Sequence, residues 1–131
     1  VESRKTIVER VLMYERGDEA FFAKWEGEDR ALRERLIVAR AALPGIGLPD
    51  ALLESVVTVV AELGVAGHRG DITVLKAAKA LAAIKGLPAP DAECLSDAFR
   101  MGLPHRLKED PFEETASGRK RLEETLARFG T

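Results

Sequence analysis

Few residues in this chain combine a reactive side chain with a spacing that could do chemistry. The two histidines, His68 and His105, stand at metal-ligand spacing neither from each other nor from Cys94, the only cysteine, so no zinc site is expected. No glycine-rich loop ends in Gly-Lys-Ser/Thr, so the chain holds no triphosphate cradle of its own. The carboxylates are interleaved with Lys and Arg, the pattern of solvated helix faces. Cys94 falls on the apolar side of a helical pattern and reads as a small buried hydrophobe. Arg69-Gly70-Asp71 spells a tripeptide known from cell-adhesion ligands, and without an export leader it reads as a chance match. Catalytic residues are therefore not expected here.

Arg69 is the exception worth pursuing. It follows the loop Val65-Ala66-Gly67-His68 and opens a helical pattern running from about Asp71 to Lys85. A helix N-terminus presents unpaired N–H groups and a partial positive charge, which favour an anion. A guanidinium at the same point adds a planar fork matched to phosphate oxygens. Gly67 and Gly70 support the helix start on either side of it. On this physics alone two readings stand, an anion contact and an ordinary surface arginine.

The elements that must position Arg69 follow from hydrophobic periodicity. Ile7, Val8, Val11 and Leu12 line one face of a helix over 2–16, with Gly17 as its stop. Phe21, Trp25, Leu32, Leu36, Ala39 and Leu43 mark a second long pattern, which Gly27 is expected to break in two. Leu43-Pro44-Gly45-Ile46-Gly47 is the clearest linker, since Pro and two Gly cannot continue a helix. Val56 to Val60 are β-branched and locally favour a strand. Glu54, Thr58 and Glu62 nevertheless form a polar stripe at i, i+4 and i+8, so 50–63 reads as a helix ended by Gly64. The next helix buries Val74, Leu75, Ala78, Leu81 and Ala82 and stops at Gly86 and Pro88. Pro90 is expected in the first turn of the following one, whose apolar side is Leu95, Ala98, Phe99 and Met101, with Pro104 as its end. Asp110-Pro111-Phe112 and a weak amphipathic run at Leu122 and Leu126 form a tail. The fold expected is all-α: long linking helices over 1–43, a three-helix bundle over 44–104 and a tail with a helix over 105–131.

Charge and composition narrow the function classes. Apolar residues at 46% and charged residues at 32% fit a soluble globular domain. Residues 44–103 carry only Arg69, Lys76, Lys79, Lys85 and Arg100 against seven acidic residues, and both flanks are balanced. No basic stripe is available for a phosphate backbone, so nucleic acid is not an expected partner. The apolar stretch Val56–Ala61 is too short for a bilayer, so no membrane is expected either. A single cysteine and no leader suit the cytoplasm. The opening at Val1, inside a helical pattern, reads as a piece excised from a longer protein.

Taken as a unit, Ala61-Glu62-Leu63-Gly64-Val65-Ala66-Gly67-His68-Arg69-Gly70-Asp71-Ile72 followed by Lys76-Ala77-Ala78-Lys79-Ala80-Leu81-Ala82-Ala83 resembles the lid region of magnesium chelatase I subunits. These are AAA+ ATPases that power metal insertion into protoporphyrin. Leu103-Pro104-His105-Arg106-Leu107-Lys108-Glu109-Asp110-Pro111 resembles the family's His-Arg…Asp-Pro run, and Val1-Glu2-Ser3-Arg4 its segment after the last core strand. The resemblance covers nearly the whole chain. It implies a lid whose nucleotide-binding core lies elsewhere in the parent protein, with the family's sensor 2 arginine at Arg69. His68 stands where family members often carry Leu, and no role is assigned to it. ATP and Mg2+ would be cofactors of the parent ATPase, with none bound by this fragment and no catalytic residue in it. Its partners would be the ATPase core of its own chain, neighbouring ring subunits and the other chelatase subunits. Alternative readings are the lid of a cobaltochelatase-type or other AAA+ ATPase, and a stand-alone helical adaptor with a groove between 50–63 and 71–85. A helix-turn-helix binder reading 71–85 into DNA is disfavoured by its sparse basic residues and Ala-rich face.

Overall fold

The structure, a computed structural model, describes residues 2–107 and 117–129. Six α-helices follow one another: α1 (Glu2–Glu15), α2 (Glu19–Ala42), α3 (Asp50–Glu62), α4 (Arg69–Lys85), α5 (Ala92–Gly102) and α6 (Ser117–Phe129). Single 3-10 turns occupy Leu43–Gly45 and Pro104–Arg106. There is no strand among the described residues, as the periodicity predicts. No single described helix is long and apolar enough to cross a membrane. The Lys108–Pro111 end of the His-Arg…Asp-Pro run and the segment Asp110-Pro111-Phe112 lie outside the described residues. Packing divides the chain into two units at Ile37/Val38.

In the first unit α1 turns into α2 through Gly17 at φ +68°, and Asp18 N–H closes the turn on Met13 C=O at 3.2 Å. Asp18 then caps α2, its Oδ1 accepting from Phe21 N–H at 3.1 Å. Tyr14 meets Phe22 at 5.5 Å between ring centroids, and Arg10 sits 5.1 Å over the Trp25 ring. No described side chain of this unit is buried, and Ile7, Val8, Val11 and Leu12 all face outward. The break expected at Gly27 does not occur. One exposed glycine costs a helix only about 1 kcal/mol, and the Arg30–Glu26 pair at 2.8 Å bridges it.

The second unit holds the core. Leu52, Val56, Val59 and Val60 make one buried face of α3, continued by Leu63 at its C-cap, so burial overrides the β-branched run. The hydroxyls of Ser55 and Thr58 turn back onto Ala51 and Glu54 C=O. α4 begins at Arg69, a turn-fraction earlier than expected, and buries Val74, Ala78, Ala82 and Ala83. Leu75 and Leu81 sit at the edge of that face and are only partly buried. Gly102 brings α5 close: a Cβ there would lie 3.4 Å from Val74 Cγ2. α5 itself departs from expectation at both ends. Pro90 precedes the helix, because Asp91 is the N-cap and Ala92 the first helical residue. Met101 is 57% exposed, and Cys94, Leu95, Ala98, Phe99 and Gly102 form the buried stripe instead. α6 is more than a tail helix. Leu122, Thr125 and Leu126 are buried, and both leucines share the core of Val56 and Phe99, so a fourth helix completes the bundle. Arg100 grips Glu123 with a two-pronged fork at 2.8 and 2.9 Å, and Arg128 pairs with Glu62.

Candidate functional site

The surroundings of Arg69 are built by the end of α3. Gly64 takes φ +69°, its N–H bonds to Ala61 C=O at 3.0 Å, and Val65 N–H reaches back to Val60 C=O at 3.3 Å. This is a Schellman cap, which a glycine at the left-handed position makes possible and which brings the flanking apolar residues together. Val60 and Val65 form a cradle that receives Gly70. A Cβ on Gly70 would stand 3.1 Å from Val65 Cγ1 and 3.3 Å from Val60 Cγ1. Gly70 is therefore a packing glycine, buried in the first turn of α4, and it seats the helix start against α3. Gly67 has the other role glycine can play, a positive φ of +75° with open space around it.

His68 occupies the N-cap position of α4 with φ −86° and ψ 0°, and its side chain makes no capping bond. The first N–H groups of α4 are thus left without a side-chain acceptor. Arg69, the first helical residue, is exposed, and among the described residues its guanidinium has no hydrogen-bond or ion-pair partner. Its carbonyl accepts from Thr73 Oγ1 at 2.6 Å. Asp71 is largely withdrawn from solvent, with Oδ2 3.8 Å from Nδ1 of the exposed His68. A groove of about 210 Å3 runs beside them, with Val57, Val60, Ala61 and Val65 on one wall and Gly67, His68 and Asp71 on the other. Such a start can attract an anion.

α5 begins in the opposite manner. Asp91 Oδ1 accepts from Cys94 N–H at 2.7 Å, and this bond, helped by nearby Lys85, holds the carboxyl below its ordinary value of 3.8. Lys85 is itself raised by its bond to Glu93. Of the His105-Arg106 pair, His105 is exposed and the Nε of half-buried Arg106 has no hydrogen-bond partner among the described residues. Among the described residues no three His, Cys, Asp or Glu side chains gather as metal ligands. Sequence reasoning placed Arg69, Gly67 and Gly70 together at the helix start. It missed the Val60–Val65 cradle, although a Gly followed by an apolar residue after a helix signals it.

The profile of the AAA lid domain family matches residues 53–125, from α3 into α6. The chain belongs to that family. The lid's relatives extend the match on both sides. It is 38% identical over 129 residues to a magnesium-chelatase subunit ChlI homologue of Methanocaldococcus jannaschii, covering 98% of this chain and 35% of that protein. It is 39% identical over 117 residues to the magnesium-chelatase 38 kDa subunit of Cereibacter sphaeroides, covering 89% of this chain and 35% of that one. A chloroplastic magnesium-chelatase subunit ChlI of Glycine max is 36% identical over 117 residues, 89% of this chain and 28% of its own. The chain spans about a third of the length of the first two. Within the lid, the matched region contains Arg69, the cradle and the Arg100–Glu123 fork.

Proposed function

We propose that this chain is the lid of an AAA+ ATPase subunit that drives ATP-dependent insertion of magnesium into protoporphyrin in the cytoplasm. In this reading Arg69 is the sensor 2 arginine and touches the γ-phosphate of ATP held by the parent's core. Similarity to magnesium-chelatase subunits supports the ATPase and the metal. One observation carries the arginine: a guanidinium with no partner among the described residues stands on a helix start without a side-chain cap, seated by Gly70 between two valines. That start fits an anion and lacks everything else a nucleotide needs, so base, ribose and Mg2+ fall to the core. When the γ-phosphate is present, the fork and the N-terminal N–H groups attract it and draw the lid toward the nucleotide. When hydrolysis and release remove the charge, that attraction ends, and the lid's favoured position shifts. The working partners are the core of the same protein, neighbouring ring subunits and the other chelatase subunits.

In the intact ATPase, Arg69→Ala is expected to lower ATP hydrolysis and metal insertion on the order of 100-fold, the usual cost of one charge-stabilising donor. Ring assembly stays unchanged. Arg69→Lys restores part of the loss, because an ammonium keeps the charge without the bidentate fork. His68→Ala is the mild neighbouring control. Wild-type turnover in Arg69→Ala returns Arg69 to the status of a surface arginine. The 131-residue chain alone is expected to show no micromolar ATP binding by calorimetry, since one arginine and a helix end fall short of the roughly 8 kcal/mol required.

A further inference from the structure

Four carbonyls at the end of any helix lack a partner within it. In α3 the Schellman cap serves Val60 and Ala61, and the carbonyl of Glu62 is served from far away in sequence. Arg121 of α6 donates to it through Nη2 at 3.1 Å, across 59 residues of chain. The same guanidinium lies over Gly64, where a Cβ would stand 3.9 Å from Nη2. Two turns along α6, Arg128 pairs with the Glu62 carboxylate. The last residue of α3 is thus held by α6 at its backbone and at its side chain. Three residues beyond Glu62 comes Val65, which with Val60 walls the seat of Gly70, and Gly70 adjoins Arg69. α6 is in turn anchored to α5 by the Arg100–Glu123 fork.

We infer that Arg121 is a positioning residue for Arg69, acting through the Glu62 carbonyl, the Gly64–Val65 cap and the Gly70 seat. This rests on the reading of Arg69 as the phosphate-sensing arginine. Arg121 is exposed, and its hydrogen bond to α3 is made to the helix end. Its removal leaves the bundle folded and frees the cap to move. A guanidinium must meet a phosphate oxygen within a fraction of an ångström to keep both prongs, so a small shift of the α4 start is amplified at the nucleotide.

The test is a double-mutant cycle in the intact ATPase. Arg121→Ala is expected to lower ATP turnover roughly tenfold when Arg69 is present, and less than twofold in the Arg69→Ala background, because its effect runs through that side chain. Arg121→Lys, which still places a donor near the carbonyl, recovers part of the loss. Amide hydrogen exchange over residues 64–69 speeds up in Arg121→Ala and returns toward wild type in Arg121→Lys. Wild-type turnover in Arg121→Ala, or an equal loss in both backgrounds, overturns the inference while the Arg69 reading survives. Wild-type turnover in Arg69→Ala alone removes the Arg69 reading, and this inference with it.

Discussion

α4 and α5 share the most extensive helix–helix contact of the lid, yet their N-termini are finished in different ways. α5 is closed by its own chain, with Asp91 receiving the Cys94 N–H and Lys85 reinforcing the carboxylate. α4 has a histidine at the same position, without a capping bond, then an exposed arginine and a buried glycine. A closed start stabilises the fold and leaves nothing for a ligand. An open start forgoes that stability, and keeps donors and positive potential available for an anion. The two helices are neighbours in one core, so the difference lies in these few residues and not in their surroundings.

The sharpest way to break this contrast is to exchange its signatures. Arg69→Ala should lose on the order of 100-fold in turnover at a denaturation midpoint within about 0.5 kcal/mol of wild type. A large drop in midpoint for Arg69→Ala would mean that α4 depends on Arg69 for folding. Next in size is Gly70→Ala. Alanine normally favours a helix, but here the added methyl meets two valine methyl groups inside ordinary contact distance. The crowding is expected to destabilise the lid by about 1–3 kcal/mol in chemical denaturation, and a rise in midpoint would mean that the cradle yields. Asp91→Ala should lower the midpoint by less than Gly70→Ala and leave turnover alone, whereas Asp91→Asn, still a good cap, should hold the midpoint. The smallest effect is on acid stability. The Asp91 carboxyl is depressed in the folded lid, so its contribution is complete above the ordinary value of 3.8 and is lost as pH falls through the lower, folded value. Asp91→Asn should therefore flatten the stability profile below about pH 4, with the residual slope coming from groups such as Glu123. An unchanged profile would show that the cap does not depend on charge.

Much of the helical framework was legible because burial imposes a 3.6-residue period. The polar stripe of Glu54, Thr58 and Glu62 outweighed four neighbouring valines, and the helix is where that stripe put it. Errors arose where local chemistry admits two outcomes. Gly27 is tolerated when nothing else disfavours the helix, and Pro90 yields its place to the aspartate that follows. Met101 is apolar but lies off the stripe set by Leu95, Ala98 and Phe99. Leu122 and Leu126 looked weak in a charged run, because the partners that bury them are far away in sequence, on α3 and α5. The same reason hid Arg121. The position of Arg69 is local and could be read from its neighbours, whereas the residues around its helix start come from the end of α3, the loop after it and the distant α6.

Cys94 has no exposed surface, and burial pushes its thiol up, which disfavours the thiolate in the folded lid. Alkylation requires that ion at the surface. With a single sulfhydryl in the sequence, every thiol-labelling event has the same origin, an excursion that uncovers Cys94 from the cluster of Ala39, Ile46, Ala82 and Ala83. The chain thus carries its own chronometer. A small alkylating reagent in native buffer would tick off those excursions as a single exponential, without denaturant and without an engineered cysteine.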